Sequence, residues 1–113
     1  MTATDGNYRF SREAPQDEMR PGVHRRVLGT TDRLMLVEFF FERGAEVAQH
    51  SHHHDQVGYV IAGRLQFTVG DESREVTSGD SYSVPGGLPH GARAITDVTV
   101  IEVFSPPRED FPR

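Results

Sequence analysis

Short apolar runs alternate with polar positions along most of this chain, and turn residues separate the runs. Residues 23–28 and 34–42 are β-rich, with glycine, threonine and aspartate between them. Five further runs cover residues 59–61, 65–69, 74–76, 82–84 and 98–104, divided by glycine- and proline-containing turns. Short strands at this spacing predict an all-β sandwich or barrel.

The polarity of the two faces differs from one predicted strand to the next. Residues 65–69 alternate cleanly, which predicts one dry and one wet face. Residues 34–42 place Met35, Val37, Phe39 and Phe41 on one face, but the other face is also apolar. This two-sided pattern predicts a strand covered on both sides and favours a homodimer.

Residues 1–20 are polar and charged, without the periodicity of a helix or strand. We expect them to form an N-terminal arm, flexible or packed against a partner. Residues 21–113 would then form the single domain, because a chain of 113 residues has room for one hydrophobic core.

Composition narrows the range of partners. Acidic residues outnumber basic ones by 17 to 12, and a net charge of -5 argues against a nucleic acid partner. There is no cysteine, so the sequence gives no sign of an oxidising compartment and the cytoplasm is expected. No apolar run is long enough for a signal peptide or a membrane span. A small-molecule partner is therefore expected.

The histidines carry the clearest chemical signal. His50 and His52 lie two residues apart, so in a strand both imidazoles share a face. Imidazole is the commonest side-chain metal ligand, and His90, between a proline and a glycine, is the distant candidate for a third donor. The alternative is a solvated histidine-rich loop. We expect that environment for His53 and His54, and an ordinary strand position for His24.

Two spaced motifs connect these residues. The first is Gly44, five residues, His50-Ser51-His52, three residues, Gln56, six residues and Gly63. The second is Gly79, five residues, Pro85, one residue, Gly87, two residues and His90. They resemble the two motifs of the cupin family, with Gln56 in place of the usual glutamate and Ala94 in place of the usual asparagine.

The resemblance implies an antiparallel jelly-roll barrel with one divalent metal ion held by His50, His52, His90 and Gln56. Zinc, nickel, manganese, iron and cobalt all suit nitrogen and oxygen donors with open positions. Gln56 adds no charge, so the ion would be a stronger Lewis acid, which favours elimination, isomerisation or hydration over oxidation. A nearby carboxylate such as Asp55 or Glu102 would restore the charge, and a water molecule could replace Gln56.

The last predicted strand leaves one question open. Val98, Val100, Glu102 and Phe104 share one face, and the opposite face is apolar as well. If Glu102 faces inward, burial raises its pKa and suits it to general acid or base catalysis. If it faces outward, it is an ordinary surface glutamate.

Residues 50–56 and 102–111 also resemble the KdgF subgroup of single-domain cupins, which takes part in pectin degradation. The resemblance implies a metal site that opens the ring of unsaturated uronates. Glu102, Phe104 and Arg108 match the acidic, phenylalanine and arginine positions, although the acid is usually aspartate. Glu102 and Arg108 are thus catalytic candidates, and Phe104 and Tyr59 are substrate-binding candidates. Arg108 would bind a substrate carboxylate, or pair at the surface with Glu109 or Asp110.

The leading hypothesis is a metal-dependent enzyme of the lyase or isomerase type acting on a small oxygenated anion, with uronate ring opening as its sharpest form. A polyketide cyclase or a dioxygenase is the second possibility. A non-catalytic cupin that binds a metal or small ligand is the third. The fold alone does not distinguish them.

Overall fold

The computed structural model describes residues 6–112, and nearly all of its regular structure is β. A 3-10 helix at Ser11–Glu13 precedes ten strands. The strands are β1 Gln16–Arg20, β2 Val23–Thr30, β3 Met35–Phe41, β4 Glu46–His50, β5 Asp55–Ala62, β6 Arg64–Val69, β7 Glu72–Thr77, β8 Ser81–Val84, β9 His90–Ala94 and β10 Val98–Ser105. None of the helices in residues 6–112 has the length and apolar character to cross a membrane.

The strands form two antiparallel sheets. One has the order β1-β2-β3-β10-β5-β8 and the other the order β4-β9-β6-β7. Strands β3 to β10 pair in a nested series, β3 with β10, β4 with β9, β5 with β8 and β6 with β7. This is the pattern of one long hairpin rolled over itself, so the predicted all-β jelly roll is confirmed.

Alternation along the strands builds the core between the two sheets. In β3 the buried residues are Met35, Val37, Phe39 and Phe41, as the pattern predicted. Leu65 and Phe67 of β6 are buried on the facing sheet. Each such side chain contributes roughly 1.5–3 kcal/mol when it is fully buried. The core fixes which residues of each strand point into the barrel.

One part of the N-terminal prediction is wrong. Residues 16–20 form strand β1, which pairs antiparallel with β2 from Gln16–Arg26 to Arg20–Val23. None of the residues of β1 is buried, because β1 is a polar strand at the edge of the sheet. The sequence therefore has no apolar periodicity from which this strand could be predicted. The homodimer and the arm as a separate unit stay predictions.

The motif glycine Gly63 has a backbone role. It has a φ of +96° in the β5–β6 turn, and a Cβ placed there would lie 2.1 Å from the carbonyl oxygen of Asp97. Only glycine fits a turn with both properties. The turn takes the chain from β5, which carries Gln56, to β6 in the other sheet.

Candidate metal centre

Three histidines from two separate stretches of the chain lie close together: His90 is buried, His52 is partly buried and His50 is exposed. His50 ends β4, His90 begins β9, and the two residues are paired in the ladder between these strands. His52 lies in the connection between β4 and β5. The ring centroids lie 4.4 Å apart for His50 and His90 and 4.8 Å apart for His52 and His90. One candidate ligand atom from each histidine lies within 4.8 Å of the others.

Backbone carbonyls fix the tautomers of two of these rings. Nδ1 of His50 donates to the carbonyl of Ala48 at 2.9 Å, and Nδ1 of His90 donates to the carbonyl of Leu88 at 2.9 Å. Each Nε2 therefore carries the lone pair that a metal ion requires. Nε2 of His90 is buried and has no hydrogen-bond partner among residues 6–112. A buried nitrogen in this state is unusual and suits a missing ligand.

Gln56 offers a fourth candidate donor. Its side chain is buried on the inner face of β5, and its Oε1 lies 3.1 Å from Nε2 of His52. Two donors about 2.1 Å from the same ion lie roughly 3.0–3.4 Å apart in octahedral or tetrahedral geometry. The separation of His52 and Gln56 fits that range.

The surroundings of His52 and His90 favour the neutral form of these two rings. Burial lowers the pKa of His52 to about 4, with further lowering from Arg108 and the neighbouring histidines. Burial also lowers the pKa of His90, partly opposed by its bond to Leu88. Neutral imidazole is the form that binds metals. The unpartnered His90 nitrogen, the fixed tautomers and the donor spacing together fit a divalent ion.

Glu102 lies directly behind Gln56. It is buried on the inner face of β10, which resolves the question that the apolar pattern left open. The hydroxyl of Tyr82 donates to Oε2 of Glu102, and the Gln56 side chain also hydrogen-bonds this carboxyl group. Because Oε1 of Gln56 faces His52, its amide NH2 group is the donor to Glu102.

The burial of Glu102 brings its pKa close to neutral pH. Burial raises the pKa of Glu102 to about 7, against the lowering effects of Tyr82, Gln56 and Arg108. Burial, together with the carboxyl group of Glu102, raises the pKa of Tyr82 well above its ordinary value. Tyr82 therefore stays a hydrogen-bond donor, and Glu102 is the group of this pair that can gain or lose a proton.

A cavity of about 140 Å³ opens beside the cluster, and Arg108 from the C-terminal tail lines it. The Arg108 guanidinium lies over the rings of Phe104 and Phe111, at 5.1 Å and 4.3 Å from their centroids. It also donates to both carboxylate oxygens of Asp110 at 3.1 Å. The surface pairing that we considered for Arg108 is thus present, but it occurs at the wall of the cavity.

Two sequence predictions do not fit the structure. Tyr59 is half-exposed on the outer face of β5, so its position does not fit the substrate-binding role predicted for it. His54, predicted to be exposed, is buried, and its Nε2 contacts Glu109. His53 is exposed as predicted. His24 lies in β2 as expected and hydrogen-bonds Glu42 at 2.8 Å.

Sequence reasoning missed Tyr82. Tyr82 alternates with Ser81 and Ser83, a pattern that marks it as the inward residue of β8. Its partner Glu102 is 20 positions away, and nothing in the sequence connects them. Asp55, considered as a carboxylate near the metal, instead accepts a hydrogen bond from the backbone N–H of Gly86 at 2.8 Å.

Comparison with known proteins identifies the family. The Cupin domain model (Cupin_2) matches residues 37–104, which include all four candidate ligands. The chain is a cupin. The pectin degradation protein KdgF of Dickeya dadantii (strain 3937) is 35% identical to it over 106 residues, 92% of this chain and 96% of that protein.

Two solved structures resemble this cupin over nearly its whole length. An RmlC-like cupin from Shewanella frigidimarina NCIMB 400 has a TM-score of 0.91 and 36% identity, and covers 96% of this chain and 97% of that chain. KdgF from Halomonas sp. has a TM-score of 0.89 and 36% identity, and the match covers 94% of this chain and 98% of that chain. The predicted resemblance to the KdgF subgroup is confirmed.

Proposed function

We propose that this cupin is a metal-dependent enzyme that opens the ring of small unsaturated uronates. The observation that carries the proposal is the convergence of three kinds of group on one cavity. They are candidate metal donors (His50, His90 and Gln56, with His52 in the same cluster), the acid Glu102, and the cation Arg108. The likeness to KdgF over almost the full length of both chains supports the same substrate class.

Ring opening of an unsaturated uronate is an isomerisation that needs little more than proton movement. The hydroxyl group on C1 loses its proton, the bond from C1 to the ring oxygen breaks, and C1 becomes an aldehyde. The electron pair stays on the ring oxygen, which is attached to the C4–C5 double bond, and gives an enolate. Addition of a proton at C4 then produces a ketone at C5, so no atoms are gained or lost.

A divalent ion held by the four donors would supply polarisation of the sugar oxygens and favour loss of the C1 proton. Glu102 would carry that proton, because a carboxyl group with a pKa of about 7 is able both to accept and to donate at neutral pH. Tyr82 and Gln56 would hold its two oxygens in place.

Arg108 would bind the carboxylate of the uronate. Its guanidinium is already oriented by two aromatic rings and by Asp110, so little side-chain entropy is lost when a second carboxylate binds. Phe104 packs beside the same cavity and would exclude water from the sugar.

The cavity favours this reaction over the cyclase hypothesis. At about 140 Å³ it is smaller than the roughly 300–1,000 Å³ typical of pockets for larger organic ligands. Cyclisation of an aromatic precursor requires a wide apolar mouth. This cavity has largely apolar walls, but it is small, and Glu102 and Arg108 place an acid and a cation in its lining. A buried acid with a raised pKa also costs stability, which favours catalysis over simple binding.

The test is to purify the protein without a histidine tag, load it with a divalent metal, and follow the loss of the unsaturated-uronate absorbance. Monomers from both pectin and alginate would be assayed, with saturated galacturonate as a control that lacks the double bond. We expect turnover of the unsaturated sugars only. Absence of turnover with the ion bound in the barrel would refute the proposal.

A further inference from the structure

A second cluster of candidate ligands lies outside the barrel site. His53 and His54 belong to the connection between β4 and β5, and Glu109 belongs to the C-terminal tail. The two imidazoles are stacked, with centroids 3.9 Å apart and an interplanar angle of 29°. Both direct Nε2 towards the same oxygen, Oε1 of Glu109, at 3.5 Å from His53 and 3.2 Å from His54.

These separations suit ligands of a shared ion better than direct hydrogen bonds. The contacts of His53 and His54 with Glu109 lie between 3.2 and 3.5 Å, at or beyond the long end of good N–H···O bonds. Two donors about 2.05 Å from a tetrahedral ion lie roughly 3.3 Å apart. Two imidazoles and a carboxylate are also a common donor set for zinc, as in several catalytic sites.

The burial of His54 and the charge of Glu109 also favour a bound cation. The His54 side chain is only 3% exposed, so burial holds its ring in the orientation that directs Nε2 towards Glu109. The bidentate ion pair of Arg108, the cation next to Glu109 in sequence, is formed with Asp110. The carboxylate of Glu109 is therefore left to attract a cation.

We propose that His53, His54 and Glu109 bind a second divalent cation of the zinc type, separate from the ion in the barrel. We name this trio the outer site. The ion joins the β4–β5 connection to the C-terminal tail. Because Glu109 follows Arg108, it also restrains the segment that forms one wall of the cavity. The proposal does not depend on the uronate reaction.

One other cluster offers a comparison. Glu18, His24 and Glu42 also have ligand atoms close together. This cluster has a single imidazole, and Oε2 of Glu18 already accepts the backbone N–H of Gly22 at 3.0 Å. Its His24–Glu42 contact of 2.8 Å is an ordinary hydrogen bond. We therefore use this cluster as the control for adventitious binding by surface histidines.

The experiment counts ions in tag-free protein that has been stripped with a chelator. Equilibrium dialysis against Zn²⁺ with elemental analysis gives stoichiometry and affinity, and the visible spectrum of Co²⁺-loaded protein reports each ion separately. The outer-site variants are His53→Ala and Glu109→Gln, because both side chains are largely exposed and the fold should tolerate their loss. His90→Ala removes a barrel ligand, and His24→Ala is the matched surface control.

The wild type and His24→Ala should each bind two ions per chain. His53→Ala and Glu109→Gln should each keep the barrel ion and weaken the second by at least about 100-fold, the upper end of the loss seen when groups behind a ligand are removed. His90→Ala should keep the outer ion. A wild type that binds one ion, lost in His53→Ala and kept in His90→Ala, supports the outer site while contradicting the barrel site.

Two results would overturn the proposal. One is saturation of the wild type with a single ion that is lost in His90→Ala. The other is unchanged binding of the second ion in both outer-site variants. In that second case, loss of the ion in His24→Ala would assign it to the comparison cluster.

Discussion

Gly58 lies directly beneath the ring of Tyr82 in the neighbouring strand. The two residues are paired between β5 and β8, and a Cβ at position 58 would lie 2.3 Å from Cζ of Tyr82. Inward-facing positions of β5 otherwise carry side chains, namely Gln56 and Val60. The missing side chain thus provides the space that lets the Tyr82 hydroxyl reach Glu102.

Gly58→Ala should therefore displace Tyr82 and break its hydrogen bond to Glu102. We expect a loss of about 1–3 kcal/mol in the free energy of unfolding, typical of overpacking in a core. Urea unfolding would measure it. Gly29→Ala is the matched control, because that strand glycine has nothing within 4 Å of the added Cβ. Equal losses in the two variants would contradict the role of Gly58.

Glu102→Gln should keep the metal and lose turnover, because the amide cannot carry a proton. We expect a decrease in kcat of roughly 100-fold or more. Glu102→Asp restores the acid usual in the KdgF subgroup and should retain much more activity than Glu102→Gln. Steady-state kinetics beside metal analysis would check both. Unchanged turnover in Glu102→Gln would remove this residue from the mechanism.

Glu102 should also make stability depend on pH in the metal-free protein. The pKa is about 7 in the fold against 4.5 as the ordinary value, so below pH 4.5 the carboxyl group is neutral in both states. As the pH rises from 4.5 to 7, the unfolded chain loses its proton first and the fold is destabilised. The difference corresponds to about 3 kcal/mol at roughly 1.4 kcal/mol per pH unit.

Unfolding of wild type and Glu102→Gln in chelator, between pH 4.5 and 8, measures this effect. The stability of the variant relative to the wild type should increase by up to about 3 kcal/mol over that range and then level off. Histidine titrations occur in both proteins and largely cancel in the difference. Parallel stability curves would show that Glu102 ionises without cost.

Arg108→Lys should weaken substrate binding more than it slows the chemical step. Lysine keeps the charge but cannot make the bidentate contact or stack between Phe104 and Phe111. We expect KM to increase at least about tenfold, with a smaller change in kcat. Arg74→Lys, at an exposed pair with Glu72, is the control. An unchanged KM for Arg108→Lys would argue against carboxylate binding there.

The fold could be predicted from the sequence, and the candidate metal ligands could be chosen from it, because the signals for both are local. The two motifs specify His50, His52, Gln56 and His90 by spacing, and alternation in β3 and β6 specifies the core. The alternation of faces along a strand also explains why Tyr59 points away from the cavity. Residues an odd number apart face opposite sides, so once Gln56 points inward, Tyr59 must point outward.

Other features depend on contacts that are distant in the sequence. The inward orientation of Glu102 was undecided because both faces of β10 are apolar, and only pairing with β3 and β5 fixes it. His54 is buried because the C-terminal tail returns over the β4–β5 connection. Strand β1 lacks an apolar face and forms only by pairing with β2.

We propose above all that one divalent ion binds between His50, His52, His90 and Gln56. Anomalous diffraction from a metal-loaded crystal, recorded at the absorption edge of the metal, tests it most directly. We expect an anomalous-difference peak about 2.1 Å from Nε2 of each histidine and from Oε1 of Gln56. A saturated crystal with no peak between these four atoms would contradict it.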